Sequence, residues 1–115
     1  MKTAIIYTRV SSTDQVSGTS LETQERDIRA YCARNEYEVA AHFQDAGESA
    51  KTADRPGLIQ ALENARKRRA NAFIVWKLDR LSRDTQDGLH IRGSLAKHGC
   101  ELVSISEPLS NDPMG

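Results

Sequence analysis

"AFIVWK", Ala72 to Lys77, is the stretch on which the fold turns. Its first five residues are all apolar, with no alternation. A strand with one face in water alternates apolar and polar residues. An unbroken apolar run bounded by polar segments fits a strand covered on both faces, the usual state of a central strand in a parallel sheet. Parallel strands need long crossovers, usually helices. Helical patterns should therefore flank this run, and they do.

Upstream, "GLIQALENARKRRA" follows Pro56, which suits the first turn of a helix. Its spacing predicts Leu58, Ile59, Leu62 and Ala65 on the inward face. Downstream, "DTQDGLHIRGSLAKHG" reads as a helix closed by Gly99 at C′, and "CELVSI" as the next strand. Nearer the N-terminus, "TAIIYTRV" is β-branched and aromatic and reads as a strand. Thr19 and Glu22 form a capping-box pattern opening "LETQERDIRAYCARN", whose Leu21, Ile28, Tyr31 and Cys32 share one face. "YEVAAHF" alternates at Tyr37, Val39, Ala41 and Phe43, as a strand does. "QDAGESAKTADRPG", Gln44 to Gly57, reads as a long exposed loop, and "SEPLSNDPMG" as a tail of turn formers.

The order β-α-β-α-β-α-β predicts an α/β domain: a mostly parallel four- to five-stranded sheet with helices on both faces. One domain accounts for 115 residues. Ligand chemistry in such sheets gathers at the carboxyl ends of the strands. Two unusual stretches fall at such ends: "RVSS" after the first strand and "LDRLSRD" after the third.

The composition, 38% hydrophobic and 28% charged, is that of an ordinary globular protein. No apolar run approaches the ~20 residues of a membrane helix. "MKTAIIYTRV" has no small-residue cleavage site and reads as mature structure. Cys32 and Cys100 stand alone, as reduced core thiols, and His42, His90 and His98 form no ligand set with them. Sixteen Lys and Arg balance sixteen Asp and Glu, whereas a domain gripping DNA by itself carries a basic surplus. If nucleic acid is the substrate, most of the grip lies elsewhere. Arg66, Lys67, Arg68 and Arg69 are compatible with a DNA contact, but cations ending a helix also complement its dipole, and that is the simpler reading.

Strand geometry separates the two serines. With period two, Tyr7, Arg9 and Ser11 project to one side and Thr8, Val10 and Ser12 to the other. Ser11 shares the face of Arg9 if the chain stays extended to that point. Arg80 and Arg83, three apart, lie on one face if their segment is helical, and two guanidinium forks there suit a phosphate. Asp79 is adjacent and can hold one of them; alternatively the pair is a solvated face tied to Asp79 and Asp84. Arg55 adds a cation beside the long loop. Gln24 falls on the inward face of its helix, where an amide needs partners, either at a site or within the core.

Several chemistries are disfavoured. No histidine completes a Ser/His/Asp set, and there is no GxSxG elbow. Glycine-rich nucleotide cradles are absent, as is a carboxylate cluster for metal-dependent phosphoryl transfer. A serine beside several arginines remains. Arginines ease deprotonation of a hydroxyl and stabilise a phosphoryl transition state, which points to a phosphodiester.

With "YTRVSSTDQ", "SLETQ", "DRPGL" and "KLDRLSRD" in this order, the chain resembles the serine site-specific recombinases: the resolvases, DNA invertases and large serine integrases. The resemblance runs from Ile5 to Ile105. It implies the resolvase catalytic-domain fold, in which one edge strand need not be parallel. It implies that Ser11 attacks a DNA phosphodiester to give a 5′-phosphoserine and a 3′ hydroxyl. By the same resemblance Arg9, Arg80 and Arg83 surround the scissile phosphate, Asp79 orients them, and Tyr7, Gln24 and Arg55 are supporting positions. No metal and no cofactor are implied. The implied partners are double-stranded DNA and further copies of the parent protein, as a homodimer and a synaptic homotetramer. The implied place is cytoplasmic and nucleoid-associated.

The spacing from Ser11 to Gln24 is longer than in compact resolvases and resembles integrase-like or transposon-borne members. Residues 1–115 would be the catalytic domain alone, ending where the family continues into a long dimerisation helix and a DNA-binding region. A tyrosine recombinase using Tyr7 or Tyr31 is disfavoured, because "HIRG" does not supply HxxR. The rival from another class is a catalytically inert assembly or regulatory domain, against which the retained Ser11, Arg9, Arg80 and Arg83 argue.

Overall fold

The structure, a computed structural model, describes residues 2–10, 21–46, 56–77 and 85–106. Within them lie β1 (Lys2–Val10), α1 (Leu21–Arg34), β2 (Tyr37–Ala46), α2 (Pro56–Lys67), β3 (Ala72–Val75), α3 (Thr85–Lys97) and β4 (Glu101–Ser104). The four strands form one sheet in the order β2-β1-β3-β4, with every neighbouring pair parallel. The chain steps from β1 to β2 on one side, then crosses back past β1 to β3 and on to β4. That reversal places the two helix layers on opposite faces.

The core divides accordingly. Ile5, Tyr7, Phe73, Val75 and Leu102 pack with Leu58, Ala61, Ala65, Ile91 and Leu95 of α2 and α3. Ala4, Ile6, Ala72 and Ile74 pack with Ile28 and Cys32 of α1. All four residues of β3 are buried, because the two layers cover both its faces. Each large aliphatic or aromatic side chain so enclosed contributes about 1.5–3 kcal/mol over leaving it in water.

β2 departs from simple alternation. Its register against β1 slips between Ala4, opposite Val39, and Ile5, opposite Ala41, so Ala40 is an extra residue. The phase flips there. Tyr37 and Val39 pack toward α1, while Ala41 and Phe43 pack toward the other layer. Past the bulge, His42 therefore faces α1. The strand also runs to Ala46, so Gln44, Asp45 and Ala46 are paired with β1 rather than opening a loop.

In α2 the buried stripe is Leu58, Ala61 and Ala65, with Leu62 partly buried. Ile59 is 53% exposed, contrary to its expected inward position. One residue on from Leu58, it is rotated about 100° out of the stripe. Two helices end in Schellman motifs. In α3, Gly99 adopts φ +75° and Cys100 N–H reaches Leu95 O at 3.0 Å. In α2, Arg69 takes the left-handed position (φ +51°) and Ala70 N–H reaches Ala65 O at 3.0 Å. Both cysteines are free and buried; burial pushes the Cys32 thiol up and the Cys100 thiol up to about 11.

Candidate active site at the carboxyl edge of the sheet

β1 is flanked by β2 on one side and β3 on the other, so the chain reverses direction around its carboxyl end. Such a reversal point is where open α/β sheets bind ligands. Arg9 lies there, 7% exposed. β3 pairs with β1 only as far as Ile6. Beyond it, the side-chain amide of Gln24 takes over. Arg9 N–H donates to Gln24 Oε1 at 3.3 Å, and Gln24 Nε2 donates to Arg9 O at 3.0 Å. Gln24 is fully buried. Its amide thus replaces a strand partner and fixes the backbone two residues before Ser11. The inward amide expected from the sequence is found, with its partners.

Asp45 is the residue that sequence reasoning misses. Its carboxylate accepts from Tyr7 Oη at 2.7 Å, from Gly57 N–H at 2.9 Å and from Leu58 N–H at 3.1 Å. The first turn of α2 contains no acidic residue of its own. Asp45 supplies that charge from the end of β2, capping the helix and complementing its dipole. Gly57 makes the approach possible: a Cβ built there would lie 2.5 Å from Gln44 O. The signal present in the sequence is an acid just past the last apolar residue of a strand. It is easily passed over, because the polar run that follows makes Asp45 look like loop.

On the α1 side a second network supports β1. Thr8 Oγ1 lies 2.9 Å from His42 Nε2, His42 Nδ1 lies 3.6 Å from Glu25 Oε2, and Glu25 accepts from Arg29 Nε at 2.7 Å. Burial lowers the His42 pKa from its ordinary value, with Glu25 opposing and Arg29 assisting. The hydrogen bond from Arg29 lowers that of Glu25. Further along α1, Asp27 Oδ2 accepts from Trp76 Nε1 at 3.3 Å. One helix thus holds the carboxyl ends of both β1 and β3, through Gln24 and Asp27.

Tyr7, Arg9 and Gln24 are the sequence-predicted site residues within the described structure, and they converge on this edge. Ser11, Arg55, Asp79, Arg80 and Arg83 lie outside the described residues. Their described neighbours border the same edge. Val10 ends β1 immediately before Ser11, Pro56 opens α2 immediately after Arg55, and Lys77 follows β3 two residues before Asp79. Among the described residues no three His, Cys, Asp or Glu side chains come together as a metal-binding group. No helix among them is long and apolar enough to cross a membrane.

Comparison with known proteins agrees with this geometry. The sequence family described as "Resolvase, N terminal domain" matches residues 4–115. The serine recombinase gin of Escherichia phage Mu is 34% identical over 110 residues, covering 95% of this chain and 50% of gin. The chain thus spans about half the length of this curated relative. Among solved structures, the N-terminal catalytic domain of TP901-1 integrase superposes with a TM-score of 0.83 at 28% identity, covering 99% of this chain and 85% of that one. A resolvase family site-specific recombinase from Streptococcus pneumoniae gives a TM-score of 0.83 at 28% identity, over 98% of this chain and 78% of that one. The chain belongs to the resolvase N-terminal domain family of the serine recombinases.

Proposed function

We propose that this domain carries out metal-independent DNA strand cleavage and rejoining in site-specific recombination, with Ser11 as nucleophile. The observation that carries the reading is the buried Arg9, clamped through its backbone by Gln24 at the reversal point of the sheet, two residues before Ser11. Ser11 Oγ attacks the phosphorus of a phosphodiester, a Ser–O–P bond forms, and the bond from phosphorus to the 3′ oxygen breaks. The net proton transfer is from the serine hydroxyl to the departing 3′ oxygen. The product, a 5′-phosphoserine, conserves the ester, so attack by a new 3′ hydroxyl reverses the step without a cofactor.

Arg9, Arg80 and Arg83 neutralise the charge that builds on the phosphoryl oxygens, and Asp79 orients them. Fixed guanidinium forks do this well where water is excluded. Tyr7 acts through Asp45, which ties β1 to the helix that begins beside Arg55. The substrate is double-stranded DNA. The working protein acts as a homodimer that pairs into a synaptic homotetramer on DNA, with the nucleoid in the cytoplasm.

The test is to trap the reaction of a longer protein carrying this domain on a nicked recombination site, digest it, and locate the nucleotide adduct by mass spectrometry. The reading requires the adduct on Ser11. An adduct on another residue, or none on a site shown to be bound, contradicts it.

A further inference from the structure

Arg66, Lys67, Arg68 and Arg69 end α2 and turn away from it, and all four side chains are exposed. The helix dipole does not account for them. A helix carboxyl end carries about half a negative charge, and its influence fades within the last turn. Four cations exceed that several-fold, and Arg68 and Arg69 lie beyond the helix. Nor do neighbouring acids neutralise them. Lys67 has a loose contact to Glu63 at 3.9 Å, and Arg68 Nε donates to Asn64 Oδ1 at 3.1 Å. Among the described residues no carboxylate comes within ion-pair reach of Arg66, Arg68 or Arg69. In a chain of zero net charge, this is a local surplus.

α3 adds one further exposed cation, Lys97. Beside it Arg66 shares the rim of a hollow between α2 and α3 with Glu63, Ser94 and His98. The patch faces away from the catalytic edge. α2 begins at that edge, against Asp45, and its 12 residues carry the chain back by about 18 Å. Asn71, just past the patch, bonds Thr3 near the start of β1.

We propose that Arg66, Arg68 and Arg69 form a second, sequence-independent contact to the phosphate backbone of duplex DNA, separate from the end that carries Ser11. Three of the four cations are arginines, whose planar forks match phosphate oxygens. Arg66 lies in the last turn of the helix while Arg68 and Arg69 continue into the turn beyond it, Arg69 in the left-handed position, so the cations spread along the turn, which suits a surface of closely spaced charges better than one carboxylate. The contact goes beyond the proposed cleavage chemistry and takes a stretch of duplex other than the one being cut.

The experiment uses this 115-residue chain, a fluorescent duplex with no recombination site, and anisotropy titrations across a range of low salt concentrations. Arg66→Gln/Arg68→Gln/Arg69→Gln is compared with Arg26→Gln/Arg34→Gln on the opposite helix layer, each change in slope taken per charge removed, and folding of each is checked by circular dichroism. The patch variant is expected to lose at least about tenfold in affinity at the lowest salt. Its slope of log K against log salt should be shallower by about 2.7, near 0.9 for each phosphate that is no longer neutralised. The α1 variant should keep most of the wild-type slope. Equal losses per charge removed in both variants, or a wild-type slope in the patch variant, overturn the proposal. Labelled poly-glutamate binding the wild type more tightly than the duplex also overturns it, in favour of an acidic polypeptide. The readout is binding, so a failure here leaves the Ser11 chemistry untouched.

Discussion

Tyr7 and Asp45, 38 residues apart in sequence, are joined by a 2.7 Å hydrogen bond from the Tyr7 hydroxyl to Asp45 Oδ2. The same carboxylate holds the first turn of α2 through Gly57 and Leu58. Substituting Asp45→Ala removes three hydrogen bonds to a charged group, two of which cap α2. The expected loss is about 2–3 kcal/mol of unfolding free energy. Tyr7→Phe, which leaves the two backbone bonds, should cost about half of that. Urea denaturation of the 115-residue chain measures both. An Asp45→Ala variant as stable as wild type would mean that the carboxylate caps nothing.

Gly57→Ala should be more damaging than its single added methyl suggests. The new Cβ would lie 2.5 Å from a backbone oxygen of β2, so α2 must move away from the sheet. Overpacking of this kind costs about 1–3 kcal/mol. Denaturation midpoints compared with Gly93→Ala provide the control, because a Cβ at Gly93 meets nothing within 4 Å. Equal effects at the two glycines would contradict the close approach.

Gln24→Leu keeps the volume but leaves the Arg9 N–H and C=O buried without their amide partner. Each such orphaned group costs about 1–3 kcal/mol. Hydrogen exchange at the Arg9 amide should accelerate well beyond that of the β3 amides. Unchanged protection at Arg9 would show that its backbone is held by something other than Gln24.

Acid should weaken the α1 side of the sheet in two stages. Folding depresses the His42 pKa below its ordinary 6.5, mainly through burial, so folding favours the neutral ring. Its contribution is fully present above that value and is lost as pH falls through the lower folded-state value. Glu25 behaves likewise from 4.5 downward, because its hydrogen bond from Arg29 depresses its pKa. His42→Gln, which still reaches Thr8 but does not titrate, should flatten the first stage. Urea midpoints against pH and an NMR titration of the His42 ring measure it. A ring that titrates above 6.5 contradicts the assignment.

The fold class was legible because β3 is apolar throughout and the helices around it carry clear stops, Gly99 among them. Features that depend on distant partners were less legible. The bulge at Ala40 left the alternation of "YEVAAHF" intact on paper while turning Tyr37 and Val39 away from Ala41 and Phe43. Asp45 resembles loop in the sequence because its partners, Tyr7 and Gly57, lie 38 and 12 residues away. Gln24 stood out because an amide on an apolar helix face needs a partner, although the sequence could not say that Arg9 provides it. Of the candidate site, Tyr7, Arg9 and Gln24 are placed together, and Ser11 with Arg55, Asp79, Arg80 and Arg83 is carried by family motifs in order along the chain.

The most direct test of the central claim is a denaturing gel of a longer protein carrying this domain, incubated with nicked site DNA in the presence of EDTA. Wild type, Ser11→Ala and Ser12→Ala are run side by side. The account predicts a covalent protein–DNA band in wild type and Ser12→Ala that is absent from Ser11→Ala. A band that survives Ser11→Ala and disappears with Ser12→Ala would contradict it, placing the nucleophile on the other face of the strand.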